Sequence, residues 1–181
     1  MNRSQARRLT VPSIFVVAAL AACVVDLNFS YTQSGLVVDT ATAGNAIDTT
    51  VPVDLSGQSD ISSHLGNIQS LSLNTMDITV VSLQSDNTVA TLAGSVYLRD
   101  DSGQGSSNDV LVGTIGSPTP FAISATATAH FTGNAALDAF VLKVAKGSRK
   151  FNVVIKGTTT GGTQAHFTVN VAVAMSLGYG T

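Results

Sequence analysis

The chain has 181 residues, a formal net charge of −2, eleven Asp, no Glu and no Trp. That length is enough for one domain with a real hydrophobic core. From residue 23 onward eleven Asp face six Lys and Arg, a net −5, which argues against general nucleic-acid binding, whose affinity comes largely from basic contacts to phosphate. Asp suits turns and caps, whereas Thr and Val, both abundant, crowd a helix at the β-carbon and fit a pleated strand. Composition alone therefore leans towards β structure.

In chain order the first feature is a leader over residues 1–22. Arg3, Arg7 and Arg8 make its start basic, and Val11 to Ala22 is apolar apart from Pro12 and Ser13. The run is shorter than the roughly 20 residues that span a bilayer as a helix, so it reads as a secretory signal and not a permanent anchor. Arg7-Arg8 also raises a twin-arginine export route, but the flanking residues match that pattern poorly. Ala19 to Ala21 would suit an ordinary signal peptidase. The sole cysteine, Cys23, follows Leu20-Ala21-Ala22, and in an exported chain it has no disulfide partner.

Leu20-Ala21-Ala22-Cys23 resembles the bacterial lipobox: an aliphatic residue, two small residues, then the cysteine that is lipidated and becomes the new N-terminus. The resemblance covers residues 1–23 only. It implies a bacterial lipoprotein with Cys23 as its lipidation site and the membrane as its first partner, reached through acyl chains. Each buried methylene contributes about 0.8 kcal/mol, so several chains hold where one would not. It implies export. Val24 and Val25 stand where an inner-membrane retention Asp often lies, which favours the outer membrane in a Gram-negative host.

Residues 23–181 read as one domain. Strands are predicted at Val24 to Thr32, Ala46 to Leu55, Ile68 to Leu83, Val89 to Leu98 and Asp109 to Ile115, with a minor helix at Ser59 to Leu65. His64 falls at its end. In the third strand Leu71 and Leu73 share a parity that Met76, Ile78 and Val80 do not, so a bulge is expected near Asn74 or Thr75. The loop from Arg99 to Asp109 is rich in oxygen ligands but lacks the fixed spacing of an EF-hand, and a solvated hairpin loop is the preferred reading.

Three later segments alternate cleanly. Phe121, Ile123, Ala125, Ala127, Ala129 and Phe131 share one face, as do Phe151, Val153 and Ile155, and as do Phe167, Val169, Val171, Val173 and Met175. Such strands have one wet side, as in antiparallel sheets. Between the first two, Asn134 as N-cap, apolar Leu137, Phe140, Val141 and Val144, and Gly147 as stop predict a helix over Ala135 to Lys146. The fold class is mainly β: an antiparallel sandwich, or a partly open barrel, of about 7–9 strands with one or two short helices.

Candidate chemistry is sparse. Ala-His-Phe-Thr occurs at Ala129 to Thr132 and again at Ala165 to Thr168. Beside the Arg99 to Asp109 loop, which could hold Ca²⁺, His130 and His166 are candidate metal ligands, and a site would need them to meet with a carboxylate. The plainer reading puts each imidazole on a wet face while its Phe neighbour fills the core. No nucleophile elbow, phosphate loop or paired-carboxylate motif is present, so no catalytic residue and no cofactor are assigned. Lys143, Lys146, Arg149 and Lys150, with Lys156 nearby, form a candidate contact patch, although cations also suit a helix C-terminus.

These readings imply a non-catalytic β module of the cell envelope, binding protein or glycan or playing a structural part. The second class is a lipid- or hydrophobe-binding protein, which would need an open apolar cavity under residues 135–146. The third is a His/Asp metal-dependent hydrolase, which would need His130 and His166 to converge.

Overall fold

The computed structural model describes residues 24–40, 46–101 and 108–180; Cys23 and the leader lie outside them. Its elements run β1 (Val24–Asp39), β2 (Ala46–Asp54), α1 (Ser59–His64), β3 (Ile68–Leu83), β4 (Thr91–Asp100), β5 (Val110–Ile115), β6 (Phe121–Ala122), β7 (Thr128–Thr132), α2 (Ala135–Lys146), β8 (Lys150–Thr160) and β9 (His166–Gly180). Two antiparallel sheets form a sandwich: a first sheet ordered β1-β9-β3-β7 and a second ordered β2-β8-β4-β5, with β6 also on β4. The expected β-sandwich with two short helices is the observed fold.

The alternating strands build the core. In β9, Phe167, Val169, Val171, Val173, Met175 and Leu177 are buried, and in β8 so are Phe151, Val153 and Ile155. Phe140 of α2 meets Phe151 edge-on with ring centroids 6.1 Å apart, a favoured aromatic geometry. A void of about 20 Å³ lies between the sheets beside Val80, Leu92, Ile115, Phe121 and Phe167. Its lining is apolar, and a cavity of that kind offers a water no hydrogen-bond partner.

The expected phase change in β3 is real. The β3–β9 register shifts between Leu73 and Thr75, keeping Leu71 and Leu73 buried together with Met76, Ile78 and Val80. The shift has a use. β7 ends at Thr132 opposite Thr75, and there the chain turns off the sheet into α2. Gly133 passes so close to Leu73 that a Cβ would lie 1.5 Å from its carbonyl oxygen. Asp138 in the first turn of α2 then accepts the Leu73 N–H at 2.9 Å. Asn134 caps the helix by accepting from the N–H groups of Ala136 and Leu137, as its sequence position implies.

Two expectations need correction. Phe121 to Phe131 is not one strand. Phe121 and Ala122 pair with β4 in the second sheet, and the chain then crosses to the first, where Thr128–Thr132 pairs with β3. The crossing turns on Thr126, held at φ 73°, with its N–H donating to the Val80 carbonyl at 2.7 Å. Alternation of apolar residues says which way a side chain faces but not which sheet its strand joins. The first strand is also longer than Val24 to Thr32: a bulge between Gln33 and Leu36, with Gly35 at φ 74°, lets it continue to Asp39.

Phe167→Ala should lower stability by about 3–5 kcal/mol, the usual cost of emptying a buried Phe site. Thr168→Ala, on the outer face one residue on, should stay within about 0.5 kcal/mol. Urea unfolding of the two variants checks the facing of β9.

Candidate functional site

The side chains singled out above do not gather in one place. The first sheet carries both histidines. His130 in β7 stands opposite Asp77 of β3, and its Nδ1 pairs with Asp77 Oδ1 at 2.5 Å on an exposed surface. His166 begins β9, opposite Asp39 of β1. Its Nδ1 faces Asp86 of the β3–β4 turn, at 2.8 and 3.0 Å from the two carboxylate oxygens.

More bonds fix this second pair. Gln164 Nε2 donates to Asp86 Oδ2 at 3.0 Å, the His166 N–H donates to Asn87 Oδ1 at 3.0 Å, and the Gln84 N–H donates to the His166 carbonyl at 3.0 Å. The group ties the β3–β4 turn to the start of β9.

The histidines do not meet. Asp77, beside His130, is in register with Ala172, six residues along β9 from His166. At about 3.3 Å per residue and about 4.8 Å per strand the imidazoles are roughly 20 Å apart. Among the described residues no three His, Cys, Asp or Glu side chains gather as a metal site would need. Each imidazole is matched to its own carboxylate. His64 ends α1 as expected; its Nδ1 bonds the Asp60 carbonyl at 2.8 Å, and its ring lies on Tyr179 with centroids 3.8 Å apart.

The two ends of the oxygen-rich loop are joined by an ion pair. Arg99 forks onto Asp109, with Nε to Oδ1 and the second nitrogen to Oδ2 both at 2.7 Å. The guanidinium hydrogen bond holds the Asp109 carboxyl below its usual range even though burial raises it, and Lys156, 3.7 Å away, adds to the lowering. A bidentate Arg–carboxylate pair is among the stronger charge-assisted contacts. It clamps the two ends of the loop whose residues 102–107 lie outside the described set. Sequence reading took Asp109 as an oxygen donor and overlooked that Arg99 could reach it.

The basic cluster is partly neutralised. Lys143 pairs with Asp100 at 3.1 Å and Lys150 with Asp54 at 3.0 Å. Asp54 is held down to about 2, chiefly by hydrogen bonds from Ser56, with Lys150 adding to the effect. Lys146 and Arg149 have no ion pair among the described residues. Arg149 sits at φ 59°, its N–H donating to the Val144 carbonyl at 2.9 Å. A cleft of about 380 Å³ lies beside α2, between Ala136, Ala139, Phe140 and Lys143 of the helix and Asp100, Asn108 and Val110. Its lining is mixed. Beneath the helix Leu137, Phe140, Val141, Val144 and Ala145 are all buried, so the apolar space there is filled by side chains.

No protein-family model matches the chain, and no curated protein matches it. Among solved structures it is similar to one of Desmodium yellow mottle tymovirus, at 8% identity and a TM-score of 0.37 over 100% of this chain and 95% of that one. It is similar to a decameric BFDV capsid protein, at 8% identity and 0.42 over 86% and 99%. Turnip yellow mosaic virus gives 9% and 0.32 over 99% and 92%. Likenesses this distant carry no argument about function.

The His166–Asp86 pair is testable. The Asp86 hydrogen bond raises the His166 pKa above its ordinary 6.5, and in turn His166 lowers Asp86 below 3.8. A raised His pKa adds stability that is full below 6.5 and fades as pH climbs through the folded value. A lowered Asp pKa adds stability that is present above 3.8 and lost as pH falls through the folded value. The pair therefore stabilises the window between them. In an NMR titration His166 should titrate above 6.5, and Asp86→Asn should bring its midpoint down. Zinc added during the same titration should leave both the His130 and His166 resonances unmoved at one equivalent.

Proposed function

We propose that this protein is a lipid-anchored, extracytoplasmic bacterial lipoprotein whose folded part is a non-catalytic binding or structural module of the cell envelope. One juxtaposition carries the reading: the lipobox-like Leu20-Ala21-Ala22-Cys23 runs into β1 with no spacer, since Val24 is already in register with Gly180. A lipobox-like cysteine directly before the first residue of β1 is the position from which an acylated N-terminus would lead straight into the sheet. Two other observations weigh against the competing classes. Among the described residues buried side chains lie under α2, where a lipid chamber was expected for the second class, and roughly 20 Å separates His130 from His166, which the third class needs together.

The module reading keeps the partner open between an envelope protein and a glycan. Its address is the membrane, the outer one in a Gram-negative host, on the strength of Val24 and Val25 after the cysteine. Intact-mass analysis of protein extracted from native membranes should show a polypeptide that starts at Cys23 and carries acyl chains. Cys23→Ser should shift the protein out of the membrane fraction. A mature chain starting at Ala22, or at an unmodified Cys23, would sink the proposal.

A further inference from the structure

Resting on that lipid anchor, we infer that one end of the sandwich is a bilayer-docking surface. It is made by the first residues of β1, the turn between α1 and β3, and the end of β9. Val24 at 51% exposure, Val25 at 39% and Leu65 at 36% are exposed there; Val37, Val81 and Leu83 are exposed towards the His166 end, so it is the tether at Cys23 that selects this end. Their elements are stitched together. Val24 is in register with Gly180, Val25 with Tyr179, and Tyr179 in turn with Ile68. The Gly180 N–H donates to the Asn67 carbonyl at 3.0 Å, the Asn67 N–H donates to the His64 carbonyl at 2.8 Å, and His64 lies on the Tyr179 ring. Leu65 follows His64 directly, so the three apolar side chains and the tyrosine share one continuous end.

The occupant is set by chain length. An acylated Cys23 is one peptide from Val24, and neighbouring Cα atoms are about 3.8 Å apart. Val24 is already held in the sheet, so the chain has no slack with which to stand the fold away from the lipid. Acyl chains seated in the bilayer therefore bring this end to headgroup level.

Depth is limited by charge. Asp26, two residues into β1, is exposed, and Asp60 is in the first turn of α1. Carboxylates resist transfer into hydrocarbon, so the end rests at the headgroup boundary. Val24, Val25 and Leu65 supply apolar contact at that depth, and Tyr179 has the amphipathic ring that suits it. The acids make this contact apolar in kind, so it works on neutral lipid. Fourteen steps of β9 put His166 and Asp86 about 48 Å away at the opposite end.

The test uses the acylated protein, its mass verified, in phosphatidylcholine vesicles containing nitroxide-labelled lipid. A polarity-sensitive fluorophore is attached either to Leu65→Cys or to Ser85→Cys in the exposed β3–β4 turn. Both changes are on the surface, and an unchanged unfolding midpoint confirms that the labelled proteins are folded. Docking requires the Leu65 probe to shift to the blue and be quenched by the nitroxide lipid, while the Ser85 probe behaves as in buffer. A Leu65 probe as wet as the Ser85 probe, or quenching at Ser85 instead, overturns docking and leaves lipidation standing. Absence of acyl chains on Cys23 removes the tether and overturns both.

Discussion

Everything in this molecule hangs on β9. It is paired along its length on both sides, with β1 from Gly180 to His166 and with β3 from Tyr179 to Phe167. Its inward side chains, from Phe167 through Leu177, are at most 4% exposed. A fully buried apolar side chain of this size contributes about 1.5–3 kcal/mol, and net domain stability is only about 5–15 kcal/mol. The six inward residues of this one strand are therefore comparable in weight to the stability of the whole fold. Among the described residues β1 pairs in its sheet with β9 alone, so the described entry of the chain is held to the sheet through β9.

The pattern that makes β9 a strand is legible because its period is two and its inward residues are all large. α2 is legible for a related reason: cap, apolar stripe and stop residue all agree. Even the β3 bulge shows in the parity of Leu71 and Leu73 against Met76, Ile78 and Val80. What sequence cannot carry is the identity of distant neighbours. Phe121 to Phe131 alternates as well as β9 does, yet it is divided between two sheets at Thr126, a residue with no local sign that it would take a positive φ. The same limit governs the polar groups. His130 meets Asp77 and His166 meets Asp86 across 53 and 80 residues of chain, separations that no spacing rule reads.

Those pairings change the meaning of the candidate residues. As letters, His130 and His166 are a repeated motif and suggest a common site. In the fold the repeat has a packing cause: in both copies the Phe of Ala-His-Phe-Thr is buried in the core and the His is turned to the outer side. Period two does the rest, so a shared motif yields shared facing without shared location. Lys143 and Lys150 fare similarly. They are near neighbours in sequence, but Asp100 and Asp54 answer them from different strands.

Charge is also segregated between the sheets. All six Lys and Arg beyond the leader belong to β4, α2, β8 and the turn between α2 and β8. The four strands of the first sheet contain Asp26, Asp39 and Asp77 and no Lys or Arg. The second sheet balances its charges internally through Arg99, Lys143, Lys150 and Lys156 against their aspartates, so much of the chain's negative excess falls to the first sheet. Its outer face is built from short side chains such as Thr79, Thr128, Thr168 and Asn170, with Asp39, Asp86 and His166 at the end remote from Val24. A partner approaching that face would meet hydroxyls, amides and carboxylates, with Val37, Val81 and Leu83 exposed in β1 and β3 near its His166 end. Hydrogen bonds to those short groups cost little side-chain entropy to make, and the exposed valines and leucine add apolar contact beside them.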